Sequence, residues 1–143
     1  MARSRQTIET SAAWIIAGVF VYASVVKIWS PDVFLQDILS YQLVDYRLAF
    51  FVALALPPVE LIAGLLLLRK PSRAPAASAI ALMMLVFTLA LITAWARGLD
   101  ISCGCFGKSE ASADYPMLLI RDLALLGVSV FLMLSRREAR ASS

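Results

Sequence analysis

Four long apolar runs constrain this sequence more than any other feature. They cover residues 11–29, 48–68, 75–96 and 117–134, and each is long enough to cross a bilayer as a helix, which takes about 17–25 residues. Only 16% of the 143 residues are charged, while 61% are apolar; soluble domains are about 25% charged. The sequence therefore predicts one transmembrane domain over residues 1–143, an all-α integral membrane four-helix bundle.

Charged residues outside the runs are divided unevenly between the two ends of such a bundle. One end collects the N-terminal tail, the connection near residue 70 and the C-terminal tail, and it is rich in lysine and arginine. The other end collects loops 30–47 and 97–116, where acidic residues predominate. Because basic residues mark the cytoplasmic side, we expect both termini inside and both loops outside, in the inner membrane of a bacterium.

The first run also resembles a secretory signal peptide. Arg3 and Arg5 precede it, and residues 21–23 fit a cleavage site. However, the run continues to Trp29, and cleavage would leave three spans and destroy the charge pattern. We therefore interpret residues 11–29 as an uncleaved membrane anchor.

The segment after the first run is too short to cross a membrane. Pro31 prevents a smooth continuation of the first helix, and residues 31–44 place apolar side chains near helical spacing. This pattern predicts a short interfacial helix on the outer leaflet. The alternative is an irregular loop.

The sequence contains no histidine, which excludes several classes of site. Ser-His-Asp and Cys-His catalysis, histidine-ligated haem and histidine-bound zinc all need that residue. No glycine-rich phosphate loop occurs either. Because membrane topology accounts for the basic residues, we expect contact with membrane lipid and no nucleic-acid partner.

Loop 97–116 holds both cysteines of the chain, Cys103 and Cys105, on either side of Gly104. Residues two apart lie within about 7 Å, which a disulfide tolerates. Three interpretations stay open, namely a structural staple, a Cu(I) site and a redox-active dithiol. A staple gains little from so short a loop, and two thiolates offer Cu(I) no nearby third ligand. A close pair in an oxidising compartment is typical of a redox-active dithiol, which we favour.

Three charged residues inside the runs form a candidate polar cluster beneath the cysteine loop, namely Lys27, Glu60 and Arg121. Glu60 falls near the bilayer midplane, where an unpaired charge is costly, so it must be protonated or paired with Lys27 or Arg121. Arg121 and Asp122 are adjacent, point about 100° apart on a helix and need not face each other. We expect the cluster to bind a polar head group or to move protons during dithiol oxidation. The alternative is that Lys27 and Arg121 extend to the interface.

Three groups of residues resemble a known family. They are Lys27 followed by Pro31 and Phe34, Leu56-Pro57 with Glu60 and Gly64, and Cys103-Gly104-Cys105-Phe106-Gly107. On these residues the chain resembles the DoxX-like membrane proteins, and within them the methylamine-utilisation MauE group. The resemblance implies a four-helix membrane bundle that forms or maintains disulfides in exported proteins, with a thioredoxin-like partner and with Cys103 and Cys105 as the redox pair.

The residues and the resemblance together predict a membrane thiol–disulfide oxidoreductase. Its partner would be a thioredoxin-fold or exported cysteine-containing protein. The chain would act alone or in a homo- or hetero-oligomer. A quinone is one candidate electron acceptor. The supporting residues are Gly104, Phe106, Gly107, Lys27, Glu60 and Arg121, of which the last three are candidates for a cofactor site. The competing hypothesis is a non-enzymatic module, either a soft-metal or ligand carrier using both cysteines or an assembly scaffold with an inert disulfide.

Overall fold

The structure is a computed structural model that describes residues 1–99, 101 and 114–142. Within these residues all regular structure is helical. The helices are α1 (Ala2–Trp29), α2 (Pro31–Ser40), α3 (Tyr46–Leu67), α4 (Arg73–Ala96) and α5 (Tyr115–Ala141), with a single 3₁₀ turn at Lys70–Ser72. Four of them, all except α2, are long and apolar enough to cross a membrane. The predicted four-helix membrane bundle is therefore confirmed, and the short helix predicted within 31–44 is present as α2.

Local sequence signals explain where the helices begin and break. Ser30 leaves the helical conformation, and Pro31 then occupies the first turn of α2, where a missing backbone N–H costs nothing. The Asp45 side chain caps α3 by accepting a hydrogen bond from the Leu48 backbone N–H at 3.3 Å. Pro57 and Pro58 lie inside α3 without ending it, as membrane helices tolerate.

The bundle has two ends, which we name by what they carry. At the terminal end α1 begins, α5 finishes and residues 68–72 connect α3 to α4. At the loop end residues 30–45 connect α1 to α3, and the cysteine loop connects α4 to α5. Helix α1 packs mainly against α3, and α4 mainly against α5, while α3 also contacts α4 and α2.

Small residues allow the helices to approach closely in the core. A Cβ atom built on Gly64 of α3 would lie 3.3 Å from Val21 Cγ2 and 3.4 Å from the Ala17 carbonyl of α1. The surrounding core takes side chains from all four spans: Ala13, Ile16, Ala17, Phe20, Ala63, Leu67, Ala76, Ala77, Ile80, Met84 and Leu132. Small residues one helical turn apart are a usual device for membrane helix packing.

At the terminal end a charged residue is buried rather than solvated. Arg73 is only 1% exposed, and its Nε donates a hydrogen bond to the Leu67 carbonyl at 3.0 Å. The sequence pattern grouped Arg73 with the exposed basic residues of the connection. The structure instead uses it to join the last turn of α3 to the first turn of α4, because the end of a helix leaves carbonyl groups that need donors.

Candidate functional site

An ion pair between α1 and α3 forms the centre of the candidate site. Lys27 Nζ lies 2.8 Å from Glu60 Oε1 and 2.9 Å from Oε2, and the two side chains are 3% and 2% exposed. The carboxylate that the sequence required to be protonated or paired thus has Lys27 as its partner. Because Lys27 is buried, it does not extend to the interface.

The pair also explains how α1, α2 and α3 fit together. Glu60 follows the start of α3 by about 21 Å of helix rise, whereas Lys27 lies in the last turn of α1. Their contact means that α3 extends past the end of α1 at the loop end. Helix α2 packs beside this part of α3 and buries Phe34, whose ring centroid lies 4.8 Å from Lys27 Nζ. Phe87 of α4 lies 5.4 Å from the same ammonium, so aromatic faces add to the stabilisation of the cation.

Arg121 and Asp122 form a second ion pair at the edge of the site. Arg121 Nε and Nη2 lie 3.0 and 2.8 Å from Asp122 Oδ1, and the two side chains are 31% and 7% exposed. The two side chains leave the helix about 100° apart, but their charged groups are in contact. The long arginine side chain folds back to its neighbour. Asp122 was noted in the sequence as a charge within a span, but it was not included in the predicted cluster.

Both ion pairs line one cavity. Its wall is formed by Val19, Phe20, Ala23, Lys27, Tyr41, Glu60, Met84, Phe87, Leu91, Leu118, Arg121, Asp122 and Leu125. The free volume is about 40 Å³, which is enough for a few water molecules. Sites for small organic ligands are about 300 Å³ or larger, so the cavity is much smaller than such a site. The three predicted cluster residues Lys27, Glu60 and Arg121 are brought together here.

A hydrophobic cluster adjoins this cavity, and two of its members, Leu99 and Ile101, precede the cysteines in the sequence. Leu91, Ala94 and Ile101 are its buried members, and Tyr41, Leu99, Tyr115, Leu118 and Leu119 pack against them. Three of these residues, Tyr41, Leu91 and Leu118, also line the cavity. The cluster, which includes the buried Ile101, is therefore continuous with the cavity wall.

Polar and aromatic contacts fasten both sides of the cysteine loop. The Tyr115 hydroxyl donates a hydrogen bond to the Leu99 carbonyl, and the Tyr115 ring stacks on Trp95 with centroids 6.0 Å apart. Arg97 Nη1 donates to the Tyr41 carbonyl at 3.1 Å, which joins the start of the loop to the end of α2. Sequence reasoning did not find these residues, because interfacial tyrosine and tryptophan are ordinary at span ends.

The predicted redox residues themselves lie outside the described part of the chain. They are Cys103 and Cys105, with the supporting Gly104, Phe106 and Gly107. Their assignment as the redox pair, and the alternative assignment as a Cu(I) site, stay predictions.

The fold and the buried ion pair define a multi-pass helical membrane protein with a small cavity lined by two ion pairs. The family described as "Methylamine utilisation protein MauE" matches residues 5–135. The chain therefore belongs to the MauE family, and the match includes every residue of the candidate site.

Two curated relatives are also similar to the chain. The chain is 31% identical over 116 residues to methylamine utilization protein MauE of Paracoccus denitrificans. This aligned region covers 80% of this chain and 62% of that protein. It is also 31% identical over 127 residues to the protein of that name from Methylophilus methylotrophus. That aligned region covers 87% of this chain and 67% of that protein. The chain thus spans about two thirds of the length of these relatives. No solved structure matches it.

Proposed function

We propose that this protein carries out thiol–disulfide exchange at the outer face of the bacterial inner membrane. Cys103 and Cys105 are the reacting pair, and the ion pair of Lys27 and Glu60 receives and returns protons that accompany the reaction. The partner is a thioredoxin-fold or exported protein with cysteines of its own. The distribution of basic residues supports this orientation, since it puts the terminal end in the cytoplasm.

The exchange runs through a mixed disulfide. In the oxidising direction a partner thiolate attacks one sulfur of the Cys103–Cys105 disulfide, that S–S bond breaks, and the released thiolate takes a proton. A second partner thiolate then attacks the mixed disulfide. The partner leaves as a disulfide, two electrons poorer, and the pair is left as two thiols. A membrane-borne two-electron acceptor restores the pair and takes up two electrons, while two protons are released.

The ion pair is suited to handle those protons. Glu60 and Lys27 are in direct contact at 2.8 Å, so a proton can move between them without leaving a net charge in the apolar bundle. A buried ion pair contributes little net stability, because desolvation offsets the attraction, and charged residues within membrane spans commonly mark proton paths. The cavity beside the pair holds enough space for a few water molecules, which can exchange protons with the pair.

One observation carries the proposal, namely the burial of Ile101 in the hydrophobic cluster that adjoins the cavity. Ile101 is 2% exposed, and a single residue separates it from Cys103 in the sequence. Two residues of extended chain reach about 7 Å, so the sequence tethers Cys103 to this cluster. The tether supports a shared role for the cysteines and the ion pair.

The relatives support a physiological setting. Both are named methylamine utilization proteins, and we propose that this chain also serves methylamine utilisation. Its role there would be the maturation of an exported cysteine-containing protein.

Trapping of the mixed disulfide tests the proposal. Cys103→Ser and Cys105→Ser each leave one thiol without its resolving partner, so one of the two variants should accumulate a covalent adduct that a reductant releases. The adduct is identified by mass spectrometry, and the double variant C103S/C105S is the control that cannot form it. Stoichiometric copper with protected thiols in the wild-type protein, or a disulfide that resists reductants, would instead favour the non-enzymatic module.

Glu60→Gln tests the part played by the ion pair. Glutamine keeps the side-chain volume and a hydrogen-bond acceptor but cannot take up a proton at neutral pH. We expect redox turnover to fall at least tenfold, in line with the usual contribution of a proton-transfer group. Glu138→Gln, at an exposed position of α5, is the matched control and should turn over normally. Wild-type turnover in the Glu60 variant would refute the proton role.

A further inference from the structure

A second concave site lies at the terminal end, far along the chain from the candidate redox residues. It is a groove of about 280 Å³ lined by Lys70, Pro71, Ala74, Arg136 and Arg140. We call it the basic groove. Three of these five residues are cationic, and none is acidic, so the groove favours an anion.

The acidic residues of this end line a neighbouring groove between α1 and α5, which shares Arg136 with the basic groove. Glu9 Oε2 lies 3.8 Å from Arg136 Nε, and Glu138 Oε2 lies 3.5 Å from Arg5 Nη2. Neither carboxylate lines the basic groove. Lys70 has no ion-pair partner within the part of the chain that the structure describes, so its charge is not neutralised by the protein there.

The wall of the basic groove is held in place from inside. The buried Arg73 donates from Nε to the Leu67 carbonyl and so fixes the connection that carries Lys70 and Pro71. The other wall is a continuous helix, since Arg136 and Arg140 lie one turn apart on α5. The cations are thus presented by two elements brought together by the fold, rather than by one flexible tail.

The depth of the groove fits a membrane lipid. Lys70 lies in the turn between two spans, and Arg136 follows the buried Leu132 by one helical turn, about 6 Å along the axis. The groove therefore lies where the apolar part of the bundle ends, at the level of lipid phosphates. Basic pockets between membrane helices on the cytoplasmic side are typical sites for anionic headgroups.

We propose that the basic groove binds the phosphate of an anionic phospholipid from the cytoplasmic leaflet, with Lys70, Arg136 and Arg140 around it. This site is independent of the proposed redox function, because no residue of the basic groove belongs to the cavity wall or to the hydrophobic cluster that adjoins it.

Lipid binding by the full chain tests the proposal. The purified protein in a neutral detergent is titrated with phosphatidylglycerol, and the lipid-bound fraction is measured by native mass spectrometry. The groove variant K70Q/R140Q should need about tenfold more lipid for half occupancy, since each basic residue contributes to the attraction. The matched control R69Q/R137Q removes the same charge at neighbouring exposed positions that do not line the groove, and it should need less than about threefold more.

Several outcomes would overturn the assignment. Equal weakening in the two double variants would mean that only the overall positive charge attracts lipid. A second measurement needs no variant: the wild-type protein should retain phosphatidylglycerol in preference to phosphatidylcholine, and equal retention contradicts the proposal. Displacement of the lipid by millimolar inorganic phosphate would assign the groove to a soluble anion instead.

Discussion

The two ends of the bundle each bury a positive charge, and they satisfy it in different ways. At the loop end Lys27 contacts the carboxylate of Glu60 between two helices. At the terminal end Arg73 donates to the backbone carbonyl of Leu67 and closes a turn. The Lys27–Glu60 ion pair lies beside a cavity. The Arg73 hydrogen bond, by contrast, joins the end of α3 to the start of α4. The comparison teaches that burial alone does not identify a functional charge; its partner and the space beside it do.

The largest expected effect comes from removal of one member of the loop-end pair. Lys27→Met leaves Glu60 buried without its counter-charge, and such a change costs about 3–5 kcal/mol. The double variant K27M/E60M removes both charges and should recover most of that stability, but not redox turnover. Thermal unfolding in detergent and turnover are measured on all three proteins. Recovery of turnover in the double variant would mean that the pair is purely structural.

At the terminal end, loss of the Arg73 side chain should lower stability without lowering redox turnover. Arg73→Met loses a charge-assisted hydrogen bond and leaves the Leu67 carbonyl without its donor, at a cost of about 2 kcal/mol. Redox turnover measured below the unfolding transition should stay at the wild-type level, because Arg73 lies away from the cavity. A loss of turnover in folded Arg73→Met protein would show that the two ends are coupled.

A smaller effect is expected where α1 meets α3. In Gly64→Ala the new methyl group meets Val21 and the Ala17 carbonyl at 3.3–3.4 Å, so the helices must separate slightly, at about 1 kcal/mol. Because Gly64 lies one turn from Glu60, turnover should also decrease. Gly127→Ala is the control, since nothing lies within 4 Å of its new methyl group. Equal behaviour of the two variants would contradict the close approach.

The smallest effect concerns the fastening of the cysteine loop. Tyr115→Phe keeps the stack on Trp95 but loses the hydrogen bond to the Leu99 carbonyl, at a cost of about 0.5–1 kcal/mol. The loop should then open more readily, so both cysteines should react faster with a maleimide. Tyr46→Phe, at an exposed position of α3, should leave the labelling rate unchanged. Unchanged labelling in Tyr115→Phe would mean that this bond does not anchor the loop.

The sequence predicted the spans well because hydropathy and membrane thickness act directly on them. It missed the ends of two helices: α1 begins at Ala2 and α5 continues to Ala141, beyond the apolar runs. Hydropathy marks the part of a helix that lies in lipid, whereas polar helix-forming residues extend the helix into water. The apolar runs 11–29 and 117–134 thus lie inside longer helices.

The candidate site was predictable only in part. The cost of a lone carboxylate near the midplane pointed to a partner for Glu60, and Lys27 is that partner. The contact of Arg121 with Asp122 and the burial of Arg73 could not be found in this way. Both depend on how a long, flexible side chain folds back onto its own surroundings, which helical periodicity does not determine.

The central claim is that Cys103 and Cys105 alternate between two thiols and one disulfide while the protein works. Maleimide mass-tagging of the wild-type protein across a series of redox buffers tests it most directly. We expect one reversible two-electron transition, with both cysteines labelled on the reduced side and neither on the oxidised side. Labelling that stays constant across the series, or that changes for one cysteine alone, would contradict the claim.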